Sequence, residues 1–157
     1  MLIFILVAAG LLAVDLITKA VFTTASGFIP GLIRIEPISN TGAAFGIFQD
    51  GRVFFIVVTF IILAAGIFFY TRFKQGRSNT LFNTGCAFVL GGALGNLYDR
   101  LFLGYVRDFI RFEFLDFMNF PICNFADVFL NVGMVLLVVY FVFVYKGQGE
   151  SKDADSR

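Results

Sequence analysis

The chain has no histidine, no tryptophan and only two cysteines, and 15% of its 157 residues are charged. Without histidine, histidine-based catalytic triads and most zinc sites are excluded. The cysteines, Cys86 and Cys123, show neither metal-binding nor redox spacing. The net charge of +1 provides no field for a nucleic-acid partner. We therefore expect no metal, no organic cofactor and no nucleic acid.

What the chain has in excess is apolar residues. Hydrophobic residues make up 59% of it and aromatic residues 18%, with a mean hydropathy of +0.87. A soluble domain is nearer half apolar and a quarter charged. A chain of this length exposes too much surface to hide such an excess from water. The composition predicts a single integral membrane domain of the all-α class over residues 1–157.

Four apolar stretches each approach the length of about 20 residues that a helix needs to cross the hydrocarbon core. They lie at residues 2–22, 53–71, 80–101 and 123–145. No basic segment precedes the first stretch and no small-residue cleavage site closes it. We therefore expect it to remain as a helix and not to be removed as a signal peptide.

Basic residues in the connections orient these helices. The connection at 72–79 carries three basic residues and no acid, which predicts a cytoplasmic loop. Both termini are then cytoplasmic, including a polar tail at 146–157. The segments 23–52 and 102–122 are expected to lie outside.

Two stretches of the outer segments have the pattern of strands. Residues 33–38 alternate apolar and polar side chains, and residues 106–114 are aromatic-rich and partly alternating. Both fit short strands with one face against a membrane surface or a partner. The predicted architecture is four transmembrane helices with a little β-structure outside.

Polar residues collect at one end of three predicted helices. They are Asp15 and Lys19 in the first helix, Asn96, Asp99 and Arg100 in the third, and Asn124, Asp127 and Asn131 in the fourth. Because the helices alternate in direction, all three clusters reach the outer leaflet. Within each cluster the spacing places the side chains on one helix face. Charges in a membrane face partners or a wet cavity, so the pattern predicts a shallow polar pocket that opens outward.

Several of these residues also have purely structural interpretations. Asp15 and Lys19 fit an internal salt bridge that orients the first helix. Asp99 and Arg100 fit a snorkelling ion pair at a helix end. Asn131 fits a hydrogen-bonded link between helices.

Three glycines of the third helix, Gly91, Gly92 and Gly95, have a structural interpretation as well. Gly91 and Gly95 are four residues apart, the register in which small residues let two helices approach closely. We expect close helix packing there and not an anion site.

Asp127 is harder to explain structurally, because no basic residue is near it in the sequence. Two carboxyl groups that share a site split their pKa values, so that one stays protonated while the other is ionised. Such a pair can carry out acid–base chemistry without histidine. Candidate partners are Asp99, Asp108 and Asp116, and periodicity alone does not choose among them.

Two non-enzymatic functions are alternatives to this interpretation. A transporter or channel subunit predicts polar residues that continue across the membrane, whereas the stretch at 53–71 carries almost none. A non-catalytic membrane subunit that uses the aspartates as docking points stays open from the residues alone.

Five short motifs, in order along the chain, carry a family resemblance over about residues 12–142. They are Asp15–Lys19, Asn40–Gly46, Gly91–Arg100, Gly104–Ile110 and Asn124–Asp127. On these motifs the chain resembles the bacterial lipoprotein signal peptidases, which are type II signal peptidases and aspartic peptidases.

The resemblance implies a site and a substrate. The catalytic pair falls on Asp108 and Asp127. The substrate is a prolipoprotein whose lipobox cysteine carries a diacylglyceryl group, and the cut is made just before that cysteine. The enzyme is expected to act as a monomer at the outer leaflet of the bacterial inner membrane, in contact with membrane lipid. It is also expected to be inhibited by globomycin-type cyclic peptides.

The resemblance further implies supporting residues and a β-cradle that lies on the membrane. Residues that hold the substrate backbone or shape the pocket, including the flanking motif positions, are Asn40, Gly42, Asn96, Arg100, Asn124 and Ala126. Structural or supporting polar residues are Asp15, Lys19 and Asp99. Cys123 and the Val128–Phe129 pair depart from the family pattern, and neither departure alters the expected chemistry.

Overall fold

The computed structural model of the protein describes residues 2–42, 51–73 and 80–145. Parts of three sequence predictions lie outside the described residues. They are positions 43–46 of the second motif, positions 74–79 of the predicted cytoplasmic loop, and the tail at 146–157.

The described chain is mostly helical. The helices are α1 (Leu2–Val21), α2 (Arg52–Phe73), α3 (Thr80–Phe102) and α4 (Phe125–Val139), and a π-helical turn (Tyr140–Tyr145) continues α4. With the π-helical turn counted as part of α4, the helix ends lie within two residues of the predicted bounds. Two described segments, Ile3–Val21 and Phe125–Tyr145, are long and apolar enough to cross a membrane, and Arg52–Phe68 is a shorter apolar helix.

The helices bury small residues and expose large ones. The buried face of α3 includes Gly85, Ala87, Gly91, Gly92 and Ala93. Large apolar side chains on the other helices point outward, as with Ile3, Ile17, Ile67, Val135 and Val138. Interfaces of this kind are typical of helices that pack in lipid, where close backbone approach replaces a hydrophobic driving force.

Glycines of α3 allow close contact with α1 and α4. A Cβ on Gly91 would lie 2.8 Å from Leu11 Cβ and 3.0 Å from Ala8 O. A Cβ on Gly95 would collide with the Asp15 carboxylate. The predicted close packing at Gly91 and Gly95 is confirmed.

A three-stranded antiparallel sheet lies beside the helix ends, in the order β1 (Ser26–Ile29), β2 (Ile33–Asn40) and β3 (Val106–Phe112). The predicted strand at 33–38 is confirmed. The strand predicted over 106–114 ends at Phe112, and a 3-10 helix, Glu113–Met118, follows it. At this point the Glu113 carboxylate binds Arg34 Nε (2.7 Å) of β2 and accepts from Gly31 N (2.9 Å) of the turn that precedes β2.

β1 was not predicted from the sequence. Its four residues, Ser-Gly-Phe-Ile, carry no alternation, and they become a strand only by pairing with β2 through a turn. Gly31 takes a positive φ of 76° in that turn, where glycine is favoured.

A small apolar cluster and a backbone bridge attach β3 to the start of α4. Ile35, Phe109 and Ile110 are buried together, with Phe22 and Phe125 packed against them. Ile110 N donates to Cys123 O at 2.8 Å, and Cys123 N donates to Ile110 O at 3.1 Å. This bridge holds Asp108 beside the first turn of α4.

Candidate active site

Polar side chains from four elements line one cavity of about 530 Å³. They include Asn40 from the end of β2, Asn96 and Arg100 from α3, Asp108 from β3 and Asp127 from α4. Of the three candidate partners for Asp127, Asp108 is the one that lines this cavity among the described residues. The structure therefore brings together the two aspartates that lie 19 positions apart in the sequence.

A capping box at the start of α4 sets the position of Asp127. Asn124 is the N-cap, and its Oδ1 accepts a hydrogen bond from Asp127 N at 3.0 Å. In return, Asp127 Oδ2 accepts from Asn124 N at 3.1 Å. This reciprocal pattern is a common way to start a helix. It places the Asp127 carboxylate in the first turn, where the helix dipole favours negative charge.

Each of the four carboxylate oxygens accepts one hydrogen bond from the protein. Asp108 Oδ1 accepts from Asn124 Nδ2 at 2.5 Å, and Asp108 Oδ2 accepts from Asn40 Nδ2 at 2.8 Å. Asp127 Oδ1 accepts from Asn96 Nδ2 at 2.8 Å. A carboxylate oxygen has room for about two donors. Each oxygen therefore keeps one site for water or a substrate group.

Asp108 is suited to hold a proton near neutral pH. It is 2% exposed. Burial, together with the negative charge of Asp127, raises the pKa of Asp108 from 3.8 to about 7, although the bonds from Asn40 and Asn124 oppose the shift. A carboxyl group that holds a proton near neutral pH can act as a general acid.

Arg100 supplies positive charge to the same cavity. Its guanidinium lies 4.9 Å from the Phe55 ring centroid, and Nη2 donates to Gly42 O at 3.4 Å. Gly42 N in turn donates to Asn40 Oδ1 at 3.0 Å. Gly42 therefore connects Arg100 to the amide that binds Asp108.

The alternative interpretation of Asp99 and Arg100 as an ion pair is wrong. Asp99 Oδ1 instead binds Arg107 Nη2 at 2.7 Å, and Asp99 Oδ2 lies 3.3 Å from Lys19 Nζ. Asp99 and Arg100 are adjacent on the helix and point to different neighbours. Sequence reasoning missed Arg107, whose only signal was its place beside Asp108 in a motif.

The salt bridge between Asp15 and Lys19 is confirmed, and it belongs to a larger cluster. Lys19 Nζ lies 2.8 Å from Asp15 Oδ2, and both side chains are fully buried. Asp15 Oδ1 accepts from Ala126 N at 2.9 Å, which ties α1 to the first turn of α4. With Asp99 and Arg107 the cluster holds two positive and two negative charges, so it is neutral.

The interpretation of Asn131 as a link between helices is wrong. Its Nδ2 donates to Asp127 O, one turn earlier in the same helix, at 2.9 Å. The side chain is exposed and lines the cavity of the two aspartates. Asp116, the third candidate partner of Asp127, lies on the 3-10 helix and binds Arg111.

The cysteines take no part in this chemistry. Both are free thiols. Burial and the nearby aspartates raise the pKa of Cys123 to about 12, so it stays protonated and is a poor nucleophile. In the described part of the chain, no group of three or more His, Cys, Asp or Glu side chains could hold a metal ion.

Comparisons with known proteins agree on one family. A family model described as signal peptidase (SPase) II matches residues 7–143. The lipoprotein signal peptidase of Enterococcus faecalis is 38% identical over 80% of this chain and 75% of its own length. That of Symbiobacterium thermophilum is 37% identical over 89% of this chain and 94% of its own.

Solved structures agree with this similarity. A bacterial membrane enzyme determined at 2.3 Å resolution superposes with a TM-score of 0.81 and 32% identity, covering 90% of this chain and 88% of the other. A second, determined at 1.9 Å, gives a TM-score of 0.79 and 32% identity, covering 92% and 95%.

Proposed function

Because the chain belongs to the signal peptidase II family, whose members remove signal peptides from prolipoproteins, we propose that Asp108 and Asp127 are its catalytic pair. The observation that carries the proposal is the shared cavity in which all four carboxylate oxygens are held by hydrogen bonds. Held carboxylates with a free site on each oxygen are what acid–base catalysis requires.

In the proposed mechanism Asp127 is the base and Asp108 the acid. Ionised Asp127 takes a proton from water, and the water oxygen attacks the scissile carbonyl carbon. Protonated Asp108 gives its proton to the carbonyl oxygen, which stabilises the charge that develops there. When the tetrahedral intermediate collapses, Asp127 passes its proton to the leaving amine and Asp108 recovers one from the hydroxyl group. Both aspartates then return to their starting states.

We further propose that all four helices cross the membrane, with the sheet and the cavity at the outer leaflet and both termini in the cytoplasm. At a rise of about 1.5 Å per residue, the 22 residues of α2 and the 23 of α3 give about 33–35 Å, enough for the hydrocarbon core. The polar end of α3, the start of α4 and the sheet lie together, which supports one wet end of the bundle.

The substrate that fits this cavity has a peptide part and a lipid part. Polar groups for a peptide backbone come from Asn40, Asn96 and Arg100. Val128 and Val132 line the side formed by α4, and Val135 and Val138 of the same helix are exposed. We therefore propose that the substrate is a diacylglyceryl-modified prolipoprotein, cut just before the lipidated cysteine. As a separate part of the proposal, we expect the enzyme to act as a monomer. A globomycin-type cyclic peptide is expected to compete for the same cavity.

The test is cleavage of a lipidated prolipoprotein by the purified protein in detergent, followed by the mass loss of the signal peptide. Asp108→Asn and Asp127→Asn are each expected to abolish cleavage while thermal unfolding remains cooperative. Asp116→Asn is the matched control, because Asp116 is an exposed carboxylate that binds Arg111 away from the cavity. Turnover by either active-site variant at the control's rate would refute the catalytic pair.

A further inference from the structure

Lys19 lies where the buried ion pairs meet the amides of the active site. Its Nζ is 2.8 Å from Asp15 Oδ2, 3.3 Å from Asp99 Oδ2 and 3.0 Å from Asn96 Oδ1. The side chain is buried, so its N–H groups are directed at protein acceptors. Two of the three contacts balance charge. The third leads to the active site.

The contact with Lys19 allows Asn96 only one orientation. An ammonium group has three donors and no acceptor, so the amide oxygen of Asn96 must face it. The amide nitrogen then faces Asp127 Oδ1, to which it donates at 2.8 Å. A flipped amide would set N–H groups against the ammonium and an oxygen against the carboxylate, and both contacts would be repulsive.

The orientation of the Asn124 amide follows from that of Asn96. Its Nδ2 donates to Asn96 Oδ1 at 3.1 Å and to Asp108 Oδ1 at 2.5 Å. Its own oxygen accepts from Asp127 N. A chain of oriented amides therefore runs from Lys19 to both carboxylates.

We propose that Lys19 is a positioning residue: it fixes the Asn96 amide so that an N–H group faces Asp127 and favours the ionised form of that carboxylate. The inference rests on the proposed catalytic pair. A Lys19 that served only packing and charge balance would need its two carboxylate partners but no particular orientation of Asn96.

The test removes the Lys19 donor while keeping the buried charges balanced. In the double variant Asp15→Asn/Lys19→Met, Asp99 keeps Arg107 as its partner. We expect kcat to fall at least about tenfold with KM nearly unchanged, since a hydrogen bond to a charged group is lost. We also expect the acidic limb of the kcat/KM profile to move to higher pH, because the ionised base has lost a donor.

Asp15→Asn alone is the control. It keeps Lys19 and its bond to Asn96, so the acidic limb is expected at the wild-type pH or below it. A double-mutant cycle then tests whether Lys19 acts on Asp127 through the Asn96 amide. In an Asn96→Ala background, Asp15→Asn/Lys19→Met should cause no further shift of the limb, because the amide that it acts through is absent. An unmoved limb in the double variant, or additive shifts in the cycle, would overturn the proposal.

If the double variant shows no cooperative unfolding transition, Asn96→Leu takes its place. This variant keeps Lys19 and both of its ion pairs but offers Asp127 no hydrogen-bond donor at position 96. If the acidic limb of its kcat/KM profile stayed at the wild-type pH, Lys19 could not act on Asp127 through this position, and the proposal would be overturned. Failure of the catalytic pair looks different, because Asp108→Asn or Asp127→Asn would then retain cleavage. Failure of the positioning role leaves both aspartates essential and the acidic limb in place.

Discussion

At the scale of single residues, Asn124 has two separate roles in one side chain. Its Oδ1 caps α4, and its Nδ2 donates to Asp108 and Asn96. The residue is completely buried, so neither role can be taken over by bulk water without a change in packing. Fold and catalysis therefore depend on the same amide, and substitutions can separate the two.

Asn124→Ser is expected to keep the cap and lose the active-site donor. Serine is about as good an N-cap as asparagine, whereas alanine costs about 1 kcal/mol. Asn124→Ser should therefore lower kcat while leaving the thermal midpoint close to wild type, and Asn124→Ala should lower both. The measurements are steady-state kinetics and thermal unfolding in the same detergent. Equal midpoints for the two variants would contradict the capping role.

The raised pKa of Asp108 predicts the basic limb of the activity profile. The proposed mechanism needs Asp108 protonated, and its pKa of about 7 means that the proton is lost as pH rises through neutrality. The kcat/KM of the wild type should therefore fall above about pH 7. A profile that stays flat to pH 9 would contradict the assignment of Asp108 as the acid.

The same shift makes a prediction about stability. The pKa of Asp108 is 3.8 as its ordinary value and about 7 in the folded protein, so the folded protein binds this proton more tightly than the unfolded chain does. Its stabilising contribution is complete below about pH 4 and is lost as pH rises to about 7. The thermal midpoint of Asp108→Asn relative to wild type should rise across that interval. A constant difference between the two proteins would show that the site does not shift this pKa.

At the scale of elements, α3 positions the site because glycine lets two other helices come close to it. Gly92 faces Ala126 O of α4, next to the first-turn residue Asp127. The contact is made at the level of the backbone, so the helices meet without intervening side chains. The distance between Asn96 and Asp127 therefore depends on Gly92, which has no side chain and takes no part in the reaction.

Gly92→Ala is expected to destabilise the protein and reduce cleavage. An added Cβ would collide with Ala126 O and lie 2.9 Å from Leu130 Cγ, and overpacking of this kind costs about 1–3 kcal/mol. Gly10→Ala is the matched control in α1, where nothing lies within 4 Å of the added Cβ. Alanine there should be neutral or stabilising by up to about 1 kcal/mol. Thermal unfolding of both variants is the measurement, and a similar midpoint for the two would rule out close packing at Gly92.

The elements also show what could be read from the sequence. Helix ends were predictable because each helix coincides with a long apolar run, and the shared pocket was predicted because polar residues collect at one end of three of these runs. β1 was missed because four residues without alternation form a strand only through a partner. The partner of Asp99 was missed because Arg107 approaches from the sheet, and helix periodicity carries no information about residues outside the helix.

At the scale of the whole molecule, the charges are sorted by depth. Asp15, Lys19 and Asp99 form buried ion pairs under the site, Asp108 and Asp127 face the cavity, and further ion pairs such as Arg111 with Glu36 lie on the sheet. All of them belong to the same end of the molecule. The outward surfaces of α1 and α4 are apolar. This arrangement fits a bundle whose one end is wet and whose sides are covered by lipid.

The proposed four crossings would place both termini on one side and the sheet on the other, and cysteine labelling tests this topology. In a background with Cys86 and Cys123 replaced by Ala, Phe117→Cys puts a thiol on the 3-10 helix, where the side chain is 82% exposed. A membrane-impermeant maleimide should label it in intact spheroplasts. Ser78→Cys, in the basic connection, and Ser151→Cys, in the tail, should react only after permeabilisation.

The labelling pattern also tests the crossings, because every helix that fails to cross reverses the side of all later segments. If α2 stayed on one side, Ser78→Cys would react in intact spheroplasts and Phe117→Cys would be protected. If α4 did so, Ser151→Cys would react like Phe117→Cys. Each labelled variant must still cleave a lipidated prolipoprotein, so that the topology measured is that of the active enzyme. Reaction of Ser78→Cys or Ser151→Cys in sealed spheroplasts would contradict a four-span bundle with its cavity at the outer leaflet.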